Sequence, residues 1–387
     1  MTTYIPRALT PPNRSFFLFG PRGGGKTTWI RHNFEGAHVF NLLSEALYQE
    51  LIASPDAFAA QLRALPDDQW VVVDEIQRIP KLLNEVHRFI EERGFKFVLS
   101  GSSARKLKQA GVNLLAGRAI RRFMHPFVPE ELGAEFDLEN ALRFGTLPIV
   151  WTQCTDEDRQ DTLVTYARLY LKEEVQAEAL VRDLPAFARF LPVSALFHGQ
   201  TINVSGLARD AGVARSTVAG YLDILEDTLL CFRIFGYEPR LRVKERKLPK
   251  LYWTDPGIVR AVRGKTPPPL ADERGALFEG LIAQVLRAYR DYRDLFEDIY
   301  YWSPSASQIE VDFILKRGDD MIGIEVKSSG NFSNKWCRGL RAMQELPGLR
   351  RRIVVCPSGS PMQTSDGIDI LPFEHFAQAL SQGTLWP

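Results

Sequence analysis

No apolar run in this 387-residue sequence comes near the roughly 18 residues that a bilayer-crossing helix requires, so an α-helical membrane protein is not expected. Residues Met1 to Pro12 are polar and proline-bearing, without the apolar centre of a signal peptide. Cysteine is scarce: Cys154, Cys231, Cys337 and Cys356 are scattered, with no C-x-x-C pair and no histidine cluster beside them. Neither a disulfide framework nor a zinc site is expected, and a reducing cytoplasm is the expected compartment. Charge of one sign is also lacking, with 48 Lys and Arg against 47 Asp and Glu. Overall electrostatics therefore ask for no nucleic-acid or membrane partner, and any such site must be a local patch. What remains is ordinary globular composition, 45% hydrophobic and 25% charged, in a chain long enough for two or three cores.

Against that background one stretch stands out. The apolar run Phe16 to Phe19 is followed by Gly20-Pro21-Arg22-Gly23-Gly24-Gly25-Lys26-Thr27 and then a helix-like segment from Thr28. This is strand, glycine-rich loop, helix, with the full G-x-x-x-x-G-K-[ST] spacing. Glycines let the backbone N–H groups of residues Gly20 to Thr28 close around phosphate oxygens. Lys26 is placed to reach the β- and γ-phosphates of ATP, and the Thr27 hydroxyl to ligate Mg²⁺.

A second strand, Trp70-Val-Val-Val73, is continuously apolar, as in a parallel sheet buried on both faces, and ends in Asp74-Glu75. Asp74 is expected to hold Mg²⁺ and Glu75 to polarise the water that attacks the γ-phosphate. The strand Phe95 to Leu99 ends in Ser100-Gly-Ser-Ser103; Ser102 or Ser103 either senses the γ-phosphate or caps the next helix. Arg118, with Arg105 as second choice, is either a transition-state arginine or a salt-bridged surface residue. Residues Ser15 to about Leu132 resemble a prokaryotic AAA-type P-loop ATPase, on the strength of Phe-Gly-Pro-Arg-Gly-Gly-Gly-Lys-Thr, Val-Val-Val-Asp-Glu-Ile-Gln-Arg-Ile-Pro and Leu-Ser-Gly-Ser-Ser-Ala-Arg. The resemblance implies a three-layer α/β core, ATP with Mg²⁺, and often a ring of subunits.

From about Asp137 the pattern turns helical. Val204 to Asp210, a turn at Ala211-Gly-Val213, and a helix opening at Ala214-Arg-Ser-Thr read as a helix-turn-helix, with Arg215, Ser216 and Thr217 at the exposed start of the second helix. With strands at Leu229 to Phe235 and Lys250 to Trp253, the region resembles a winged helix. The basic run containing Arg240, Arg242 and Lys244 lies between them, a DNA-contact candidate or a solvated hairpin. Protein contact is the competing role for the whole element.

Past Lys265-Thr-Pro-Pro-Pro269 the pattern returns to α/β: a helix over Gly275 to Tyr289, strands Ile299 to Trp302, Ile309 to Leu315 and Met321 to Lys327, a helix over Lys335 to Leu346, and a final strand Arg352 to Val355. Glu325 and Lys327 share a strand face, and Asp312 joins them if its strand is in register. Two carboxylates so placed can bind Mg²⁺ while the lysine orients a water; a cross-strand salt bridge is the plainer reading of Glu-x-Lys. The pattern resembles a PD-(D/E)xK nuclease-like domain, in which Asp312, Glu325 and Lys327 are the motif and Glu279 the helix acid that completes it. The resemblance implies metal at Glu279, Asp312 and Glu325, with cleavage or a retained, inert acid set both open.

The expected organisation is α/β: a P-loop ATPase three-layer domain over 1–135, a helical and winged-helix region over 136–262, and a nuclease-like domain over 263–387. Nearly the whole chain resembles the bacterial and archaeal ATPases that carry a DUF4143-like C-terminal domain. The expected partners are DNA and further copies of the chain. A nucleotide-controlled switch acting on a protein is the alternative.

Overall fold

The computed structural model describes residues 4–103, 115–170, 183–238, 248–304 and 309–387. Residues 1–125 with 224–230 form one compact unit, and 126–223 with 231–387 form a second.

In the first unit five parallel strands stand in the order β2-β3-β4-β1-β5. They are β1 (Phe16–Phe19), β2 (His38–Asn41), β3 (Trp70–Asp74), β4 (Lys96–Gly101) and β5 (Ile120–Phe123). Every residue of β1 is buried, because this strand has a neighbour on each side and helices on both faces. Helix α1 (Lys26–Asn33) sets Trp29 edge-on against Phe16. The opposite face carries Phe17 and Phe19, packed in one core with Leu51 of α2 (Glu45–Ala53), Phe58 and Leu62 of α3 (Asp56–Arg63), and Val86 and Phe89 of α4 (Leu82–Arg93). The alternation of β1 side chains thus divides them between two helical layers, and each buried Phe contributes about 1.5–3 kcal/mol.

The second unit is built on a nine-stranded mixed sheet, ordered β13-β14-β12-β11-β10-β9-β7-β8-β6. Its strands are β6 (Gln200–Thr201), β7 (Cys231–Gly236), β8 (Lys250–Trp253), β9 (Asp298–Trp302), β10 (Val311–Arg317), β11 (Asp320–Val326), β12 (Leu349–Cys356), β13 (Met362–Gln363) and β14 (Asp369–Pro372). Parallel pairing of Phe235 and Gly236 with Tyr300 and Tyr301 makes one sheet of the β7–β8 hairpin and the C-terminal strands. Helices Leu184–Leu196, Val204–Ala211 and Arg215–Asp227 precede that hairpin, with Gly212 left-handed at φ 65 in the turn between the last two. Helix Ala271–Arg293 buries Leu277, Phe278, Leu281, Ile282, Val285 and Leu286.

Three segments differ from the sequence expectation. Residues 335–346 form a 3-10 turn, Asn334–Cys337, and a short helix, Arg338–Ala342, instead of one long helix. In the helical stretch that follows Asp137, helix Asp156–Thr165 passes into a π turn at Tyr166–Tyr170, and 171–182 lie outside the described residues. Beyond β12 the chain adds β13, β14 and helix Phe373–Ser381, which no sequence pattern had marked. Two- and four-residue strands are too short for alternation to register.

His198 is buried at the root of the hairpin, its Nδ1 accepting the Trp253 backbone N–H at 3.0 Å. Burial, with Arg263 nearby, pushes the imidazole from 6.5 down to about 3. It is neutral when folded and protonates near 6.5 when unfolded, so between those values the unfolded chain binds the extra proton. Its contribution to stability is complete above pH 6.5 and drains away as pH falls towards 3, at up to about 1.4 kcal/mol per pH unit. Denaturant melts at pH 7 and pH 5 should show a smaller pH difference for His198→Asn than for the unaltered chain. Gly280 faces this ring: a Cβ there would meet Nε2 at 2.0 Å.

Candidate nucleotide site and a buried acid cluster

The loop between β1 and α1 folds as its glycines allow. Gly23 and Gly25 adopt φ 74 and φ 85, the left-handed region that side chains rarely enter. Gly24 donates its N–H to Pro21 O at 3.1 Å, and a Cβ on Gly24 would lie 2.9 Å from that oxygen. A Cβ on Gly20 would lie 2.6 Å from Met124 O. Helix α1 starts at Lys26 with Gly25 as its N-cap and no side-chain cap, which leaves its first-turn N–H groups to an anion. Arg7 donates to Gly24 O at 2.9 Å and to His125 O, tying the loop to the end of the β5 segment.

Lys26 is buried and lies along its own loop, donating to Gly20 O at 2.7 Å and Pro21 O at 3.2 Å. Thr27, Thr28 and Arg22 are exposed at the loop mouth. Thr27 Oγ1 donates to Asp74 Oδ2 at 3.0 Å, so the two residues expected at magnesium already meet. Asp74 Oδ1 accepts from the Ser100 hydroxyl. Glu75 stands at φ 62, an uncommon position for a non-glycine residue, and accepts from Gln77 Nε2. Gln77 also donates to Ser102 Oγ at 3.2 Å.

Ser100, not Ser102 or Ser103, is therefore the strand-end serine beside the acidic pair. Val73 is opposite Leu99 in the parallel register, so the next positions, Asp74 and Ser100, lie side by side. Ser102 is two residues further and is linked to Glu75 through Gln77. Neither Ser100 nor Gln77 was singled out from sequence; parallel register is the signal that locates Ser100. Arg118 is paired through Nε to the Glu91 carboxylate, and Arg105 lies outside the described residues.

In the second unit Phe313 is opposite Ile324, which puts Asp312 and Glu325 side by side on one face of the β10–β11 ladder. Asp312 Oδ2 accepts the Val326 N–H at 2.8 Å, and Lys327 Nζ is 2.5 Å from Glu325 Oε1. Glu279, on helix Ala271–Arg293, joins through Lys250, whose Nζ is 3.1 Å from Glu279, 2.5 Å from Glu310 and 3.6 Å from Asp312. Tyr252, two residues along β8 and on the same face, donates to Glu279 Oε1 at 2.5 Å. Burial opposes the Lys250 charge, but Glu279, Asp312 and Glu310 outweigh it and hold the ammonium above the ordinary lysine range. Burial, and then the charge on Asp312, raise both Glu279 and Glu325. Lys250 and Glu310 are members that the sequence reading did not pick; the one signal is a lysine opening the otherwise apolar Lys250-Leu-Tyr-Trp strand.

The two sets differ in what they fit. At the P-loop an uncapped helix start, a glycine cradle that a Cβ would fill, and the Thr27–Asp74 pair suit a nucleotide with Mg²⁺. In the acid cluster, both Asp312 oxygens and Glu279 Oε1 are engaged, Glu325 Oε1 is taken by Lys327, and Glu325 Oε2 is buried without a hydrogen-bond partner. A divalent ion asks for several free oxygens, and among the described residues no three His, Cys, Asp or Glu side chains form a group able to hold one. The cluster does not fit a metal.

Of the DNA-contact candidates, Arg215 and Ser216 are exposed and Thr217 half-buried at the start of helix Arg215–Asp227. Asp223 of that helix pairs with Arg233 at 3.1 Å. Arg240, Arg242 and Lys244 lie outside the described residues.

Residues 12–133 match the AAA domain family, 135–268 a domain of unknown function (DUF8612), and 274–376 a domain of unknown function (DUF4143). The chain is a P-loop ATPase of the AAA type with a C-terminal DUF4143 domain. Two uncharacterized proteins, of Mycobacterium tuberculosis and Mycobacterium bovis, are each 27% identical to this AAA-type chain over 376 residues, covering 95% of it and 81% of their own length. Among solved structures, the Aeropyrum pernix ORC1 protein in complex with DNA is 14% identical, with a TM-score of 0.29, covering 66% of the ATPase chain and 87% of its own. Protein VC1899 from Vibrio cholerae is 13% identical, with a TM-score of 0.22 and 95% of each chain covered. At these scores the two likenesses inform neither fold nor function. No helix among the described residues is long and apolar enough to cross a membrane.

Proposed function

We propose that the chain is a Mg²⁺-dependent ATPase whose hydrolytic cycle acts on DNA held by its helix-turn-helix. The observation that carries the ATPase part is the contact of Thr27 with Asp74, flanked by Ser100 on one side and by Glu75 and Gln77 on the other. Magnesium, held by Thr27 and Asp74, would neutralise charge on the β- and γ-phosphate oxygens. Gly23 and residues Gly25 to Thr28 offer backbone N–H groups to the phosphates, and Lys26 exchanges its loop carbonyls for phosphate oxygen. Glu75 orients and polarises the attacking water, while Gln77 holds its carboxylate in place. Arg118 acts as a finger only after leaving Glu91, which suits a role across a subunit boundary in an oligomer.

The DNA part rests on element order. Helix, β6, two helices and the β7–β8 hairpin follow the order of a winged helix, with Arg215 and Ser216 exposed where a recognition helix begins. Helix Ala271–Arg293 and strands β9 to β12 follow the order of a PD-(D/E)xK core. We take the cycle to drive DNA remodelling; gating of cleavage has less support, given the bonding of the acid set. Cys154, Cys231, Cys337 and Cys356 form no disulfide, which suits a cytoplasmic setting. The commitment of those acids to lysines favours a second reading, a nucleotide-controlled switch acting on a protein, with the C-terminal domain non-catalytic.

Phosphate release should be measured with and without duplex and single-stranded DNA at low salt. DNA should raise the rate, the effect should fade steeply with salt, and Arg215→Glu should weaken it. ATPase activity indifferent to DNA, with no DNA binding at low salt, would transfer the assignment to the protein-partner reading.

A further inference from the structure

We infer that the Lys250 ammonium is the resident cation of the Glu279, Glu310 and Asp312 cluster and that it keeps divalent metal out of the C-terminal acid set. The inference is independent of the P-loop chemistry.

Lys250 is 3% exposed and is placed by backbone, not by a loop: β8 is paired with β7 on one side and β6 on the other. Its Nζ lies within 3.1 Å of Glu279 and 2.5 Å of Glu310, with Asp312 at 3.6 Å, so one charge serves carboxylates from a helix, a strand and the segment before that strand. Divalent metal would need oxygens of Glu279 and Asp312 that this lysine already faces, and a buried ammonium a few ångströms away would repel it. Lys327 occupies Glu325 from the other end of the cluster. Tyr252 and the Val326 N–H take further lone pairs on Glu279 and Asp312. Each acid is thus held by hydrogen bonds and lysine charge, which is how buried carboxylates remain tolerable without metal. The cluster also joins β8 to helix Ala271–Arg293 and to β10, which is separated from β8 in the shared sheet by β9 and β7.

The test is a Mn²⁺ titration of the nucleotide-free full chain, with free Mn²⁺ read by electron paramagnetic resonance. Unaltered protein and Asp312→Asn should give superimposable curves. Lys250→Met should gain a site at least tenfold tighter than anything in the unaltered chain, and the Lys250→Met, Asp312→Asn double variant should lose it. The inference is overturned if Asp312→Asn weakens Mn²⁺ binding by the unaltered chain tenfold or more, or if a Lys250→Met protein with unaltered circular dichroism gains no site. Should Lys250→Met fail to fold, the comparison of the unaltered chain with Asp312→Asn decides alone.

Discussion

Glu75→Gln is expected to leave ATP binding within about threefold of the unaltered chain while lowering turnover by about 10²–10⁴-fold, the range of a positioned general base. Glutamine keeps the length and hydrogen-bonding capacity of the side chain, so it retains the contact with Gln77 and the left-handed backbone at φ 62. What it loses is the negative charge that polarises water. Lys26→Ala should act differently: its ammonium is the one placed against the phosphates, so binding and turnover fall together, turnover by about 10²–10³-fold. Steady-state phosphate release combined with a fluorescent-nucleotide titration separates the two patterns. If Glu75→Gln hydrolyses ATP at the unaltered rate, Glu75 is not the base.

The second large effect concerns stability. Gly257→Ala would set a Cβ 2.0 Å from Phe144 O and 2.3 Å from its carbonyl carbon. Both are backbone atoms, so no rotamer relieves the overlap. That backbone is itself held, with Gly145 N bonded to Ala141 O and Asp255 accepting from Thr146 N at 2.7 Å and Ile258 N at 3.2 Å. Helix Pro256–Val262 would have to move off helix Leu138–Phe144, at a cost of about 3 kcal/mol or more. For a unit of this size that corresponds to roughly 10 °C in Tm. Gly220→Ala supplies the contrast: it sits in helix Arg215–Asp227 with nothing within 4 Å of a new Cβ. There alanine should stabilise, by about 0.8–1 kcal/mol. Thermal melts of both variants read the two signs side by side.

These two cases show what a linear sequence can and cannot carry. The strand, loop and helix around Gly20 to Thr27 were legible because their chemistry is local: glycine spacing, an apolar run and a helix start occupy consecutive residues. The same holds for the buried strand ending at Asp74 and for the alternation that aligns Glu325 with Lys327. Ser100 was not legible, since its partner Asp74 is 26 residues away and only parallel register joins them. Lys250 lay further out of reach, because its acids come from positions 279, 310 and 312, and a salt-bridged strand lysine leaves no periodic trace. Nor does alternation reveal that β7 pairs with β9, which makes one sheet from segments whose composition suggests two domains. Nothing local to Gly257 marks its requirement for hydrogen over methyl, which comes from Phe144, far away in the chain.

The most direct test of the central claim is phosphate release by the unaltered chain, with ATP and Mg²⁺ and then with excess chelator, run beside Glu75→Gln. The account predicts steady multiple turnover that chelator and Glu75→Gln each abolish. ATP bound at the P-loop with no phosphate released in Mg²⁺, or release that persists in Glu75→Gln, would contradict it.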